Sequence, residues 1–160
     1  MRYEPERIDS APQASLAALK ANVLEASLRG RSSPPFVLIV DDDPDTRTLH
    51  AEILRLRGFR TAEAEDGEAC IRMAVANRPD VILMDGSMPG MSGSEAAQWL
   101  KGDVRTRAIP IVMLTGFARS TGTREPSRGC DAYIAKPSTA DDVVETLRSV
   151  LTIGQPTEKR

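Results

Sequence analysis

Residues 36 to 151 alternate between short, unbroken apolar runs and longer segments in which apolar side chains recur at helical spacing. FVLIV (36–40), VILMD (81–85) and IPIVMLT (109–115) have strand length, and FRTAEA (59–64) and AYIA (132–135) carry a weaker form of the same signal. Between them DPDTRTLHAEILRLRG opens with Asp43 as N-cap and Pro44 at the first helical position, where a missing N–H costs nothing. It carries Leu49, Ile53, Leu54 and Leu56 and closes on Gly58. DGEACIRMAVANRP carries Ala69, Ile71, Met73 and Val75 and stops before Pro79, while SGSEAAQWLKGD and STADDVVETLRSVLTIG supply two more capped helices. Strands alternating with helices call for a parallel sheet wrapped on both faces. Strands that are apolar throughout fit that arrangement, because a parallel strand is buried on both sides.

The flanks differ in texture. Residues 1–35 form an N-terminal extension in which SLAALKANVLEASLRG places Leu16, Leu19, Val23, Leu24 and Leu28 at helical spacing, with Ser15 and Gly30 as its caps. The amphipathic helix this predicts is followed by RSSPP, whose prolines mark a linker, so the domain proper spans 36–151. The tail 152–160, TIGQPTEKR, reads as disordered. Within the domain, GFARSTGTREPSRGCD is a crossover with poor helix formers, among them Gly122, Pro126 and Gly129. It should be short, frayed or partly loop, and its Arg119, Arg124 and Arg128 form either a solvated basic surface or one that orders on a partner.

Composition narrows the function classes. A chain of 160 residues suits one domain with terminal extensions, and a formal charge of −2 with 28% charged residues gives no reason to expect nucleic acid or a membrane surface as partner. Cys70 and Cys130 are far apart and form no CxxC, so neither a disulfide framework nor a zinc site is expected. No apolar stretch approaches a membrane span and the N-terminus lacks the order of a signal peptide, which favours a cytoplasmic location.

In an open parallel sheet, ligands bind beyond the carboxyl ends of the strands. The first strand ends in Asp41, Asp42 and Asp43, the third in Asp85 and the fourth in Thr115, and the fifth is followed by Lys136 and Pro137. An aspartate before a proline is most simply an N-cap, which accounts for Asp43. Adjacent carboxylates at the end of one buried strand, facing a third on its neighbour, repel one another unless a cation sits among them.

These residues carry a resemblance. VLIVDDDP, VILMDGSMPGMSG, IVMLTG and AYIAKPS together resemble the receiver domain of bacterial two-component response regulators, over about three quarters of the chain. The resemblance implies an α/β doubly wound, flavodoxin-like fold: a five-stranded parallel sheet in the order 2-1-3-4-5, here with an extra N-terminal helix. It implies that Asp85 is a phosphoacceptor attacking the phosphoryl group of a kinase phosphohistidine. By the same likeness Asp41, Asp42, Asp85 and the backbone carbonyl of Ser87 hold Mg2+, a hard cation that takes octahedral oxygen ligands. Lys136 would neutralise a phosphoryl oxygen, and Thr115 and Tyr133 would form a switch pair, with the Lys136–Pro137 peptide cis. The implied partners are a sensor histidine kinase or histidine phosphotransfer protein, a downstream protein target and a second copy of the chain as a homodimer. With only about nine residues after the domain, no output domain is expected, and the protein would be a phosphoacceptor signalling protein, not an enzyme in the usual sense.

Some positions depart from the common pattern. Gly116 is small, as the family requires beside the site, while Phe117 and Ser87 stand where relatives tune hydrolysis. Phe117 is expected to shield the acyl phosphate from water and slow its loss. Ser92 replaces a frequent aspartate without functional weight, and Ser138 replaces a frequent phenylalanine. His50, the sole histidine, reads as a partly buried packing residue. Two rival readings are a phosphate-independent adaptor on the same fold and an aspartate-nucleophile phosphatase. The latter wants a second acid two residues after the nucleophile, where Ser87 stands.

Overall fold

The computed structural model describes residues 33–116 and 129–153. The expected N-terminal helix over 15–30, the crossover with Phe117, Arg119, Arg124 and Arg128, and the tail from 154 lie outside the described residues. The elements are β1 (Phe36–Val40), α1 (Pro44–Leu56), β2 (Arg60–Ala64), α2 (Gly67–Asn77), β3 (Val81–Asp85), α3 (Gly93–Gly102), β4 (Ile111–Thr115), β5 (Ala132–Ala135) and α4 (Ala140–Ile153). All pairings are parallel, in the order β2-β1-β3-β4-β5.

Strand side chains alternate between the two faces, so one sheet makes two cores. Val37, Ile39, Leu83 and Leu114 pack with Ala51 and Leu54 of α1 and Val143, Leu147 and Leu151 of α4. Leu38, Val40, Ile82 and Met84 pack with Cys70 and Ala74 of α2 and Ala96, Ala97 and Leu100 of α3. Each fully buried Leu or Ile contributes roughly 1.5–3 kcal/mol of transfer free energy, so this layering carries the fold.

Local signals act as the chain dictates. Asp43 caps α1, accepting hydrogen bonds from the backbone N and Oγ1 of Thr46. Ser92 and Glu95 form a reciprocal capping box on α3, which is the role of the serine at that position. Asp66 caps α2 through Ala69 N at 2.7 Å.

Several expectations are corrected. In α1 the buried stripe is Ala51 and Leu54, whereas Leu49 and Leu56 are 56% and 86% exposed. In α2 the buried face is Ala69, Cys70 and Ala74, small residues that let the helix lie close to the sheet, while Ile71, Met73 and Val75 lie at its flanks. β2 starts at Arg60, leaving Phe59 as a core residue before it. β4 starts at Ile111, because Pro110 has no N–H to give and only accepts, from Ile82 N at 3.0 Å. Thr152 and Ile153, which the sequence pattern assigns both to the end of the last helix and to the tail, belong to the last turn of α4, where Thr152 Oγ1 donates to Arg148 O at 2.9 Å.

At the amino ends of the strands, Lys101 Nζ from α3 donates to Asp131 Oδ2 (3.0 Å), Ile109 O (2.9 Å) and Arg107 O (3.3 Å). Asp131 Oδ2 also accepts from Ile111 N at 2.8 Å, and Phe36 N donates to Asp80 Oδ2 at 2.7 Å. These contacts fasten α3, β4, β5 and β1 along one edge of the sheet.

Candidate functional site

At the opposite edge, the carboxyl ends of β1 and β3 present Asp41, Asp42 and Asp85, each offering a ligand atom within 4.8 Å of the others. Asp41 and Asp85 are buried and Asp42 is exposed. They converge because Val40 pairs with Met84 in parallel register, so the residues following both strands leave the sheet side by side. Asp41 Oδ1 accepts from Asp43 N at 2.9 Å, and Oδ2 is buried with no hydrogen-bond partner. Burial pushes the Asp41 carboxyl above the usual carboxylate range; the hydrogen bond from Asp43 opposes this, the charge of Asp85 adds to it, and Lys136 opposes it. A carboxylate held in this way has an oxygen to give to a hard cation, and the all-oxygen donor set fits magnesium.

Lys136 follows β5 and reaches back to the acids, its Nζ 2.9 Å from Asp85 Oδ1. Its backbone N is anchored on Thr115 O at 2.8 Å, which ties the lysine to the end of β4, and the Lys136–Pro137 peptide is cis. Thr115 ends β4, opposite Ala135 and half-exposed. Tyr133 lies two residues earlier on β5, its side chain exposed and sharing a hydrogen bond with the Cys130 thiol. Ser87 is exposed in the loop after β3. The residues singled out in the sequence thus border one edge, with Asp41, Asp42 and Asp85 in reach of one another, Lys136 bonded to Asp85, and Tyr133 set apart on β5.

Two contributors escape sequence reading. A Cβ on Gly93 would run into the Asp85 carbonyl oxygen and come within 3.1 Å of Gly86 Cα, so the turn of α3 rests directly on the backbone of Asp85. Gly93 N donates to Gly86 O at 3.4 Å, closing the loop. In the sequence its signal was one glycine among several in MPGMSG. Arg47, from the first turns of α1, donates to Asp41 O at 2.7 Å and pairs with Glu63 at 3.5 Å, bracing the acid pair from below. An arginine three residues into a helix looks like any exposed one.

His50 lies on α1 with its Nδ1 buried and without a hydrogen-bond partner. Burial lowers its pKa, with the Asp41 carboxylate opposing, as expected of a packing residue.

Comparison with known proteins agrees with this architecture. Residues 37–148 match the model of the response regulator receiver domain. The polar-differentiation response regulator DivK of Brucella anthropi is 38% identical over 120 residues, covering 74% of this chain and 97% of DivK. Its counterpart in Brucella ovis is 37% identical over 117 residues, covering 72% and 94%. Among solved structures, chemotaxis protein CheY4 of Vibrio cholerae superposes with a TM-score of 0.68 at 27% identity, covering 74% of this chain and 99% of CheY4. The receiver domain of a sensor histidine kinase of Pseudomonas aeruginosa, solved with a magnesium ion coordinated in its active-site cleft, gives 0.68 at 30% identity, covering 74% and 98%. With an acid cluster and lysine at the carboxyl edge of a sheet ordered 2-1-3-4-5, and with a family match across nearly all of that sheet, this chain belongs to the response regulator receiver domain family.

Proposed function

We propose that the protein accepts a phosphoryl group on Asp85 from the phosphohistidine of a sensor histidine kinase or histidine phosphotransfer protein. One observation carries the reading: the buried, unpartnered Oδ2 of Asp41 lies in a cluster of acids that a single ammonium, Lys136, offsets only in part. Such a cluster costs stability unless it serves a cation. Asp41, Asp42, Asp85 and the backbone carbonyl of Ser87 would hold Mg2+, which when bound supplies charge neutralisation for a phosphoryl group.

The chain's own residues account for the rest. A carboxylate oxygen of Asp85 forms the new O–P bond as the P–N bond to the imidazole breaks, leaving the electron pair on the donor nitrogen. Gly93 holds the Asp85 backbone so that this oxygen faces the acid pair. The Lys136 ammonium, already at Asp85, turns to a phosphoryl oxygen, and the Thr115 hydroxyl bonds a second. Movement of Thr115 leaves room beside β5 into which Tyr133 turns, altering the surface that a downstream protein target or a second copy of the chain would read.

The test is incubation with a small acyl-phosphate donor, with and without magnesium, read by intact-protein mass. The wild type is expected to gain one phosphoryl group only with magnesium, and Asp85→Asn none. Equal labelling of Asp85→Asn would overturn the assignment.

A further inference from the structure

Tyr133 and Thr115 share one face of the sheet. In the β4–β5 ladder Tyr133 stands opposite Met113 and Thr115 opposite Ala135, so both side chains project from the same side. Thr115 lies two residues further along, roughly 6.6 Å toward the carboxyl edge. The Tyr133 hydroxyl donates to the thiol of Cys130, three residues earlier and ahead of the amino end of β5. A ring bonded there has its tip turned away from Thr115. We propose that the Cys130 thiol is a latch on the switch: it holds Tyr133 toward the amino end of β5 and sets how readily the ring crosses to Thr115. On the phosphoacceptor reading of Asp85, on which this rests, the bond breaks whenever Thr115 draws the ring inward.

A latch must be held more firmly than what it holds. Gly129, before the cysteine, lies so close to α3 that a Cβ would come within 3.1 Å of Lys101 Cγ and 3.3 Å of the Ala97 carbonyl oxygen. Asp131, after it, donates from its backbone N to Ile111 O at 2.8 Å, and its Oδ2 accepts from Ile111 N at 2.8 Å and Lys101 Nζ at 3.0 Å. Cys130 itself packs, half-buried, against the core that contains Met113. The thiol is thus fixed from α3 and β4, whereas the Tyr133 side chain is exposed on its strand.

The other end of the swing is bordered by small residues. Ala135 is exposed on the same face, and Gly116, also exposed, follows Thr115. A thiol is a weak acceptor, and a bond to it from a neutral hydroxyl biases two ring positions by about two- to ten-fold. A bias of that size favours the outward ring at rest and still yields to the stronger, charge-assisted pull of a phosphoryl group on Thr115.

Tyr3 and Tyr133 are the two tyrosines of the chain, so a Tyr3→Phe chain carrying fluorotyrosine reports Tyr133 as a single fluorine resonance. Its reference position is that of the same chain saturated with magnesium and beryllofluoride, a phosphoryl mimic. With neither present, Cys130→Ala is expected to move the resonance toward that reference. Affinity for beryllofluoride with magnesium, measured by calorimetry, should rise about two- to ten-fold in Cys130→Ala. The same substitution should change nothing in a Tyr133→Phe background, where the hydroxyl is gone.

A resonance that stays in place or moves the other way would overturn the latch and leave the role of Asp85 standing. So would an unchanged affinity, or a gain that survives in the Tyr133→Phe background, which would make Cys130 a packing residue only. A wild type that binds no beryllofluoride would overturn the phosphoacceptor reading and the latch with it.

Discussion

The ammonium of Lys136 stands 2.9 Å from Oδ1 of Asp85, so the last strand of the sheet supplies the counter-charge for acids carried by the first and third. Lysine and a bound divalent ion then act on the same excess of negative charge. Lys136→Ala is expected to enlarge the rise in melting temperature on adding magnesium, because the acids lose their resident cation. It should also slow phosphoryl acceptance by about 10²-fold or more, as removal of one preorganised charge contact does elsewhere. A smaller magnesium shift than in the wild type would show that Lys136 does not balance the acids.

Asp41 keeps a carboxylate oxygen in the protein interior with nothing bonded to it. Asp41→Asn removes that charge and its repulsion from Asp85 and Asp42, and should stabilise the metal-free chain by about 1 kcal/mol. The gain on adding magnesium should vanish in the same variant. Urea unfolding with and without magnesium measures both effects, and a destabilised metal-free variant would count against the cation role.

Gly93 touches the backbone of Asp85 and Gly86 so closely that no side chain fits. Gly93→Ala should cost about 1–3 kcal/mol in urea unfolding, as overpacking does, and lower acceptance by moving Asp85. An unchanged midpoint would mean that the loop yields at no cost.

His50 makes stability depend on pH in one direction. Its pKa is lowered chiefly by burial; the Asp41 and Asp85 carboxylates pull upward and Lys136 pushes further down. As pH falls below about 6.5, the unfolded chain takes up a proton that the folded chain refuses, so stability declines down through the lowered native pKa, by at most about 1.4 kcal/mol per pH unit. His50→Leu should flatten the decline of unfolding free energy between about pH 6.5 and 5. An identical pH profile in the variant would show that His50 is protonated equally in both states.

Much of this molecule is legible in the sequence, and the reasons are particular. Val81 to Met84 are apolar on both faces because β3 is central, and the abrupt stop at the buried Asp85 marks where the strand reaches the acid cluster at the carboxyl edge. Asp43 before Pro44 announces its cap because both residues act within one turn. Helix faces were less readable: Leu49 and Leu56 match a helical period as well as Ala51 and Leu54 do, and only the sheet decides which pair is covered. Gly93 and Arg47 act through contacts with the backbone of Asp85 and Asp41 that the fold creates, and residue type gives no sign of such contacts.

The knot of Lys101 and Asp131 gives the sheet a polarity of its own. At that edge Lys101 and Asp131 meet each other and several backbone groups besides, whereas at the far edge, among the described residues, three carboxylates gather about the ammonium of Lys136. Unfolding pressure and chemical responsiveness are therefore concentrated at the same end of the molecule. Under the proposed function, an arriving phosphoryl group would rearrange the contested edge while the clasped one keeps the strands in register.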